Sequence, residues 1–301
     1  MNIKNNLPEI RGVYRLDAKL PNWFDVGGNA EILFRPKDVD DLKNFLQKLD
    51  SKINVTILGA GSNVIISDEG VKGVVIRMGS EFAKIEFIEN GDKFFIRAGA
   101  SSLAINVANY AKNLGFCGLE FLSGIPGSIG GAIAMNAGCY GGEISKILHE
   151  ATAIDFQGTK QILKNSQFNF SYRNNDLAKK YIFVEGIFAI EKSTIIDVEN
   201  KMNQLQKQRE ISQPIRAKTG GSTFKNPSNN SHEKKAWELI DAVGYRGKQK
   251  GGAQFSSKHC NFLINSDKAS ASDLIDLANE AKAEVAKKFS INLEWEIKII
   301  K

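Results

Sequence analysis

The chain has 301 residues, which exceeds the usual size of one domain and predicts two or three domains. Hydrophobic residues make up 42% and charged residues 25% of a sequence with no 18-residue apolar run and no N-terminal signal core, so we expect a soluble, cytoplasmic protein without a membrane span. The net charge of +6 is spread over dispersed lysines, and the three cysteines and three histidines have no metal-ligand spacing, which argues against a nucleic-acid partner and against metal catalysis.

The N-terminal part of the sequence predicts short strands and one amphipathic helix. Residues 30–35 are typical of a strand that ends before Pro36, and apolar residues then recur at helical spacing behind an acidic start. The apolar positions of this helix are Leu42, Phe45, Leu46 and Leu49. Further strands are predicted at 54–58, 64–66, 74–77, 84–88 and 94–98.

A glycine-containing loop joins the strands at 54–58 and 64–66. It consists of Gly59, Ala60, Gly61, Ser62 and Asn63. The loop is not a dinucleotide fingerprint, because Val64 stands at the third glycine position and no helix follows. Two interpretations stay open, an ordinary hairpin and a turn whose amides and side chains hold phosphate oxygens.

The stretch 124–142 contains seven glycines in nineteen residues, several times the usual frequency of about 7%. It follows a predicted helix that opens at Ser102 and ends at Gly115. Glycine lets a ligand approach the main chain, where successive N–H groups bind anions. The pattern therefore favours a bound diphosphate-containing cofactor over a plain loop.

After the glycine-rich stretch, the sequence predicts strands at 150–156 and 181–190, with a loop at 168–173 between them. The polar segment 197–209 is a helix or a linker, and the composition change near Ser193 marks a domain boundary. A helix around Leu239 stops at Gly244, and another around Leu277 has Ser272 as its expected N-cap. Residues 293–300 alternate as a last strand.

Few side chains point to chemistry by themselves. Arg173 is of a type that most often forms surface ion pairs, and Ser222 after two glycines is either a turn residue or a proton donor or substrate-binding hydroxyl. The Gly-x-Ser-x-Gly elbow of hydrolases is absent from the sequence. Glu294 and Glu296 share one side of the last strand, where they are either solvated or, if one faces inward, in need of a buried partner.

Taken together, six ordered segments resemble the UDP-N-acetylenolpyruvoylglucosamine reductases, bacterial flavoenzymes of peptidoglycan precursor synthesis. The segments are 22–28 (NWFDVGG), 59–63 (GAGSN), 124–138 (GIPGSIGGAIAMNAG), 172–173 (YR), 221–227 (GSTFKNP) and 294–299 (EWEIKI). They span nearly the whole chain. Trp23 and Asn175 depart from the residues usual in the family, and the C-terminal region is too short for the substrate-closing loop of its longer form.

The resemblance implies an α+β fold. It comprises a two-subdomain FAD-binding fold of the vanillyl-alcohol-oxidase type, with subdomains at 1–78 and 79–195, and a C-terminal α+β substrate-binding domain at 196–301. FAD is expected to be bound non-covalently, because no histidine lies in or beside the two glycine-rich loops. The expected activity is NADPH-dependent reduction of UDP-N-acetylglucosamine enolpyruvate to UDP-N-acetylmuramate by a monomer that acts on this small molecule.

The resemblance also implies functional residues. The expected FAD-binding residues are Gly59, Ala60, Gly61, Ser62, Asn63, Gly124, Ile125, Pro126, Gly130, Gly131, Asn136, Ala137 and Gly138. The expected substrate-binding residues are Tyr172, Lys225 and Asn226. Arg173 and Glu296 are expected to stabilise an enolate, Glu296 either as a protonated donor or by orienting a donor, and Ser222 is expected to donate a proton.

Two other functions stay open. One is a non-catalytic protein that binds nucleotide sugars, and the other is a flavin oxidase that acts on an alcohol. A bound flavin would distinguish the reductase from the nucleotide-sugar-binding protein. Rapid reaction of the reduced flavin with oxygen would distinguish the alcohol oxidase from the reductase.

Overall fold

The computed structural model describes residues 7–227 and 233–301. Within that part of the chain, two compact units are present. The first contains 7–17, Glu31–Ala60 and Gly73–Lys207, and the second contains Ala18–Ala30, Gly61–Lys72, 208–227 and 233–301. The finer division into domains at 78/79 and 195/196 stays a prediction.

The described chain contains both helices and strands. The helices are α1 (Val39–Lys48), α2 (Ala104–Asn113), α3 (Ile129–Met135), α4 (Ile144–Ile147), α5 (Ile195–Ser212), α6 (Ala236–Ala242) and α7 (Ala271–Phe289). The strands are β1 (Val13–Lys19), β2 (Asn29–Arg35), β3 (Val55–Ile57), β4 (Val64–Ile66), β5 (Val71–Ile76), β6 (Ile85–Asn90), β7 (Lys93–Gly99), β8 (Phe116–Cys117), β9 (Gly138–Cys139), β10 (Gly142–Glu143), β11 (Leu148–Asp155), β12 (Lys160–Lys164), β13 (Phe170–Ser171), β14 (Asn174–Asn175), β15 (Tyr181–Lys192), β16 (Gln249–Lys250), β17 (Ala253–Phe255), β18 (Leu263–Asn265) and β19 (Lys298–Ile300).

Two sheets form the framework that carries the first unit. One has the strand order β1-β2-β5-β3, in which β3 and β5 are parallel. The other has the order β12-β11-β15-β7-β6, with β8 paired to the end of β15, and its pairs are antiparallel. Two apolar clusters form the core, one around Phe34 and Phe45 and the other around Ile133 and Phe188. Burial of such side chains is the dominant favourable term in folding.

The second unit packs α6 and α7 around one apolar cluster. Phe224, Phe255, Leu274 and Leu277 are fully buried there. A three-stranded sheet, β16-β17-β18, and the parallel pair β4 and β19 complete the unit. No described helix is long and apolar enough to cross a membrane.

Several predicted elements are confirmed. Helix α1 begins as expected, with the Asp38 carboxylate accepting from the N–H of Asp41 at 2.9 Å. The polar segment at 197–209 is helical and belongs to α5. Helix α6 stops before Gly244, which adopts a φ of 79°.

Other expectations are wrong in detail. Ser270, not Ser272, caps α7, because its hydroxyl accepts from Asp273 N–H while the hydroxyl of Ser272 donates to the carboxylate of Asp68 at 2.7 Å. Helix α2 begins at Ala104 rather than at 102. The last strand is confined to β19, since residues before it pair only through an isolated bridge at Trp295.

The glycine-rich segments also differ from simple loops. Strands β3 and β4 do not form a hairpin, because β3 pairs with β5 and β4 pairs with β19. The stretch 124–142 contains the helix α3 and the short hairpin of β9 and β10. The expected loop at 168–173 includes β13, which pairs with β14. The α+β class itself is confirmed by the mixture of helices and strands.

Candidate active site

A cavity of about 650 Å³ lies within the first unit. Four predicted cofactor-binding residues line it, namely Gly59, Ala60, Gly130 and Gly131. The two glycine-rich segments are therefore brought to one cavity, although 70 residues of sequence separate them. The other predicted cofactor-binding residues, Gly61, Ser62, Asn63, Gly124, Ile125, Pro126, Asn136, Ala137 and Gly138, lie outside the lining.

Gly59 lies close to the side chain of Ser128. A Cβ atom on residue 59 would lie 2.6 Å from the Ser128 hydroxyl oxygen, inside the contact distance of real Cβ atoms. Ser128 is only 6% exposed and lines the cavity, yet its hydroxyl does not cap α3. The two residues thus place bare backbone and an uncommitted hydroxyl at the cavity wall.

Two arginines line the same cavity and were missed from the sequence. Arg35 is the last residue of β2, and Arg77 directly follows β5. Burial, and then the positive charge of Arg35, hold the pKa of the Arg77 guanidinium below its ordinary value. Their only sequence signal is position, since ligands of parallel sheets bind outside the carboxyl ends of strands.

Arg173 lies in the turn between β13 and β14, with a φ of 54°. Its Nη2 donates to the carbonyl oxygen of Gly138 at 2.5 Å, and its guanidinium carbon lies 5.1 Å from the centre of the Tyr172 ring. Tyr172 is exposed. The structure therefore joins three predicted site residues, Tyr172, Arg173 and Gly138, in one cluster of the first unit.

Two buried asparagines hold this cluster together. Asn136 ends α3 in the left-handed conformation, donates to the carbonyl of Ser171 at 3.1 Å and accepts from the N–H of Ser145 at 2.9 Å. Asn175 donates to the carbonyl of Ile133 at 3.0 Å. Asn136, predicted to bind the cofactor, thus has its side-chain oxygen and one amide hydrogen engaged with the protein.

In the second unit, the segment that contains Ser222 is bonded on both sides. Ser222 bridges to Phe262, and the N–H of Thr223 donates to the carbonyl of Asn261 at 2.7 Å. On the other side, the N–H of Glu296 donates to the carbonyl of Thr223 at 2.9 Å. Ser222 and Glu296 therefore belong to adjacent backbone segments.

The carboxylates near the C-terminus face different environments. Glu294 is exposed and its carboxylate lies 3.6 Å from the Lys225 ammonium, whereas Glu296 is half-buried. Leu293 and Ile297 are the buried residues of this segment. The interpretation of Glu294 as a solvated acid is thereby confirmed.

Two further side chains that were predicted to bind ligands form hydrogen bonds with the protein backbone. The side-chain oxygen of Asn226 accepts from the N–H of Ala236, the first residue of α6, at 3.1 Å. The side-chain amide of Asn63 donates to the carbonyl of Glu296 at 3.1 Å, and its own carbonyl accepts from Lys298 N–H. Asn63 thus positions the segment that carries Glu296.

Titratable groups beside the Ser222 segment are shielded from solvent. Burial lowers the pKa of His259 and raises the pKa of the Cys260 thiol to about 12, so the imidazole and the thiol are both neutral at pH 7. Among the described residues, no cluster of three histidine, cysteine or acidic residues has the arrangement of a metal site.

Comparison with known proteins identifies two matching family models. A model described as FAD binding domain matches residues 30–163, a range that contains both glycine-rich segments, 59–63 and 124–142. A model described as UDP-N-acetylenolpyruvoylglucosamine reductase, C-terminal domain, matches residues 213–300, which include Ser222 and Glu296.

Relatives match almost the whole chain. A UDP-N-acetylenolpyruvoylglucosamine reductase from Parvibaculum lavamentivorans is 47% identical over 98% of this chain and 94% of its own length. One from Rickettsia massiliae is 45% identical over 98% of both chains. The crystal structure of the Thermus caldophilus reductase aligns with a TM-score of 0.80 and 28% identity over 97% of this chain and all of that chain.

These matches confirm the fold class expected from the resemblance, an FAD-binding portion followed by the C-terminal domain of the same enzymes. The protein is an FAD-dependent oxidoreductase. The chain belongs to the UDP-N-acetylenolpyruvoylglucosamine reductase family.

Proposed function

We propose that the chain reduces UDP-N-acetylglucosamine enolpyruvate to UDP-N-acetylmuramate with non-covalent FAD and NADPH, a step of peptidoglycan precursor synthesis. The observation that carries this proposal is the cavity that Gly59, Ala60, Gly130 and Gly131 line together. These four residues lie in the range 30–163 that the FAD binding domain model matches, which supports a flavin nucleotide as the ligand of the cavity.

The cavity fits FAD in size and chemistry. Its volume of about 650 Å³ is typical of cofactor sites, and it combines glycine backbone with the apolar side chains of Val55, Ile57, Phe156 and Ile182. The described lining contains no histidine or cysteine, which supports a non-covalent complex. Gly61, Ser62, Asn63, Gly124, Ile125, Pro126, Asn136, Ala137 and Gly138 stay proposals as further FAD-binding residues.

When bound, FAD carries the two electrons of NADPH to the carbon–carbon double bond of the enolpyruvyl ether. Reduction at the terminal methylene leaves negative charge on the adjacent carbon and its carboxylate. Arg173 supplies a fixed positive charge that stabilises this enolate. Glu296 acts either as a protonated donor or by orienting one, because an ionised carboxylate against the enolate would oppose the reaction.

Ser222 then donates its hydroxyl proton to the carbon next to the reduced position. A hydroxyl is a weak acid in water, so this transfer needs a strongly basic carbon and the exclusion of solvent. Lys225, Asn226 and Tyr172 are the proposed contacts of the UDP-sugar. The proposed enzyme is a cytoplasmic monomer that acts on this small molecule and has no nucleic-acid partner.

A stopped-flow experiment tests the proposal. We expect the purified protein to be yellow, its flavin to be released by acid, and its NADPH-reduced flavin to be reoxidised rapidly by the enolpyruvyl substrate. Acid precipitation should leave the flavin absorbance in the supernatant and none in the pellet.

Two outcomes would refute it. A colourless protein that cannot be reconstituted with FAD would leave a protein that only binds nucleotide sugars. A reduced flavin that oxygen reoxidises quickly, without any effect of the enolpyruvyl substrate, would indicate an alcohol oxidase.

A further inference from the structure

Arg35 and Arg77 stand out because their charges are uncompensated. Both guanidinium groups line the cavity and both side chains are half-buried. Within the residues that the structure describes, neither guanidinium has a hydrogen bond or an ion pair with the protein. Half-buried charges are usually paired, so this absence points to a ligand of opposite charge.

The two arginines are held in place by the backbone of adjacent strands. The N–H of Arg77 donates to the carbonyl of Phe34, the residue before Arg35, at 3.0 Å. On the other side of β5, the N–H of Leu58 donates to the carbonyl of Ile76 at 2.9 Å. Leu58 is the residue directly before Gly59 in the chain. The two guanidinium groups and the first glycine-containing loop therefore follow neighbouring strand ends.

The two like charges destabilise each other when no anion is bound. Burial is the main cause of the lowered pKa of Arg77, and the positive charge of Arg35 lowers it further, which is an unfavourable interaction between the two side chains. The protein retains both groups in spite of this cost. An anion between or beside them would remove the repulsion and satisfy planar donors that suit phosphate oxygens.

We propose that Arg35 and Arg77 form an anion-binding pair that holds the diphosphate of FAD. The inference rests on the proposed function, because it takes FAD as the occupant of the cavity. One guanidinium can neutralise each phosphate, while Ser128, which is buried, lines the cavity and leaves its hydroxyl uncommitted, supplies a neutral donor. The apolar lining is left for the adenine.

Binding measurements on the flavin-free protein test the pair. Arg35→Gln and Arg77→Gln should each raise the Kd for FAD about 10- to 100-fold, as expected for loss of a charge-assisted hydrogen bond. The Kd for ADP should rise by a similar factor, whereas the Kd for adenosine should stay within about threefold. Added NaCl should weaken FAD binding less in the variants than in the wild type.

Arg15→Gln is the matched control, because Arg15 is an exposed arginine of β1 that does not line the cavity. Its Kd for FAD should equal that of the wild type. Thermal unfolding of the flavin-free proteins separates binding from folding: removal of one of two repelling charges should leave the Tm unchanged or higher. Arg35→Lys and Arg77→Lys should recover part of the affinity.

Two results would overturn the inference. Unchanged Kd values for FAD and ADP in both glutamine variants would show that the pair does not contact the diphosphate, and the proposed function would stand. A lower Tm without FAD, accompanied by equal losses of adenosine and ADP affinity, would assign both arginines to folding. If the wild type itself binds no FAD, the proposed function fails together with this inference.

Discussion

The N–H of Glu296 donates to the carbonyl oxygen of Thr223 at 2.9 Å, which joins the segment after Ser222 to the segment that carries the proposed carboxylate. Because this bond uses only backbone atoms, substitution of either side chain leaves it intact. Side-chain variants at 222 and 296 therefore report on chemistry with little effect on folding.

Ser222→Ala should separate the two half-reactions. Loss of a positioned proton donor typically slows a reaction about 10²–10⁴-fold, so turnover of the enolpyruvyl substrate should fall by that factor while flavin reduction by NADPH stays near normal. Ser222→Cys should recover part of the rate, because a thiol is more acidic. Thr223→Ser is the control, since it keeps the hydroxyl that accepts from Leu263 N–H. Full turnover in Ser222→Ala would assign the proton to another group, with Glu296 the first to examine.

Substitution of Glu296 tests how the enolate is stabilised. If Glu296 acts as a neutral donor, Glu296→Gln should lose less than about tenfold in substrate reduction, because the amide still donates. Glu296→Ala should lose about 10²–10³-fold, the usual effect of removing one such donor. Single-turnover oxidation of the reduced flavin measures both. Equal losses of the substrate-reduction rate in Glu296→Gln and Glu296→Ala would instead require an ionised carboxylate that orients another donor.

Lys225→Ala should weaken substrate binding. A lost charge-assisted contact with a phosphate predicts a rise in KM of about 10- to 100-fold, with flavin reduction by NADPH nearly unchanged. Glu294→Gln is a matched control, because it removes only the exposed ion pair with Lys225, whose atoms lie 3.6 Å apart. The same rise in KM in both variants would mean that the ion pair, not a substrate contact, is responsible. Equal loss in both half-reactions would mean shared binding of NADPH.

Asp68 should contribute to stability in a pH-dependent way. Its carboxylate accepts from the N–H groups of Ala271 and Ser272 at the start of α7, and from the Ser272 hydroxyl. Burial alone would raise the pKa of Asp68, but these hydrogen bonds outweigh it and the pKa is lowered. A lowered pKa in the folded state means that the stabilisation is complete above the unfolded value of about 3.9 and is lost as the pH falls through the folded value.

Asp68→Ala should therefore lower the free energy of unfolding by about 1 kcal/mol at pH 7, as for loss of a helix cap. Urea denaturation at constant FAD measures it, and the difference from the wild type should shrink below about pH 4. Glu69→Ala, which removes an adjacent exposed acid, should have no effect at either pH. A constant difference across this pH range would contradict the role assigned to the ionised carboxylate.

Local patterns predicted the elements whose stability is local. Helix α1 follows from apolar spacing and an acidic start, and residues of both glycine-rich segments line the cavity, while their contacts with FAD stay a prediction. The errors arise where distant residues decide. Ser272 has cap chemistry as good as that of Ser270, but Asp68 engages its hydroxyl from about 200 positions away in the sequence. Arg35 and Arg77 carry no local pattern at all, because only pairing of the strands brings both to the cavity.

Gly59→Ala gives the sharpest test of the cavity itself. The new methyl group would lie 2.6 Å from the Ser128 hydroxyl oxygen, so this hydroxyl must rotate away, and the Kd for FAD should rise about 3- to 10-fold, as for loss of one neutral hydrogen bond. Gly131→Ala also adds a methyl group to the cavity lining but leaves it 3.6 Å from the same oxygen, so a loss of FAD affinity shared by both variants reports on lost cavity space and not on contact with Ser128. Ser128→Gly removes the clashing atom, so the double variant Gly59→Ala/Ser128→Gly should bind FAD more tightly than the sum of the two single effects predicts. Strictly additive effects would show that residue 59 must be glycine for the ligand's approach and not for contact with Ser128.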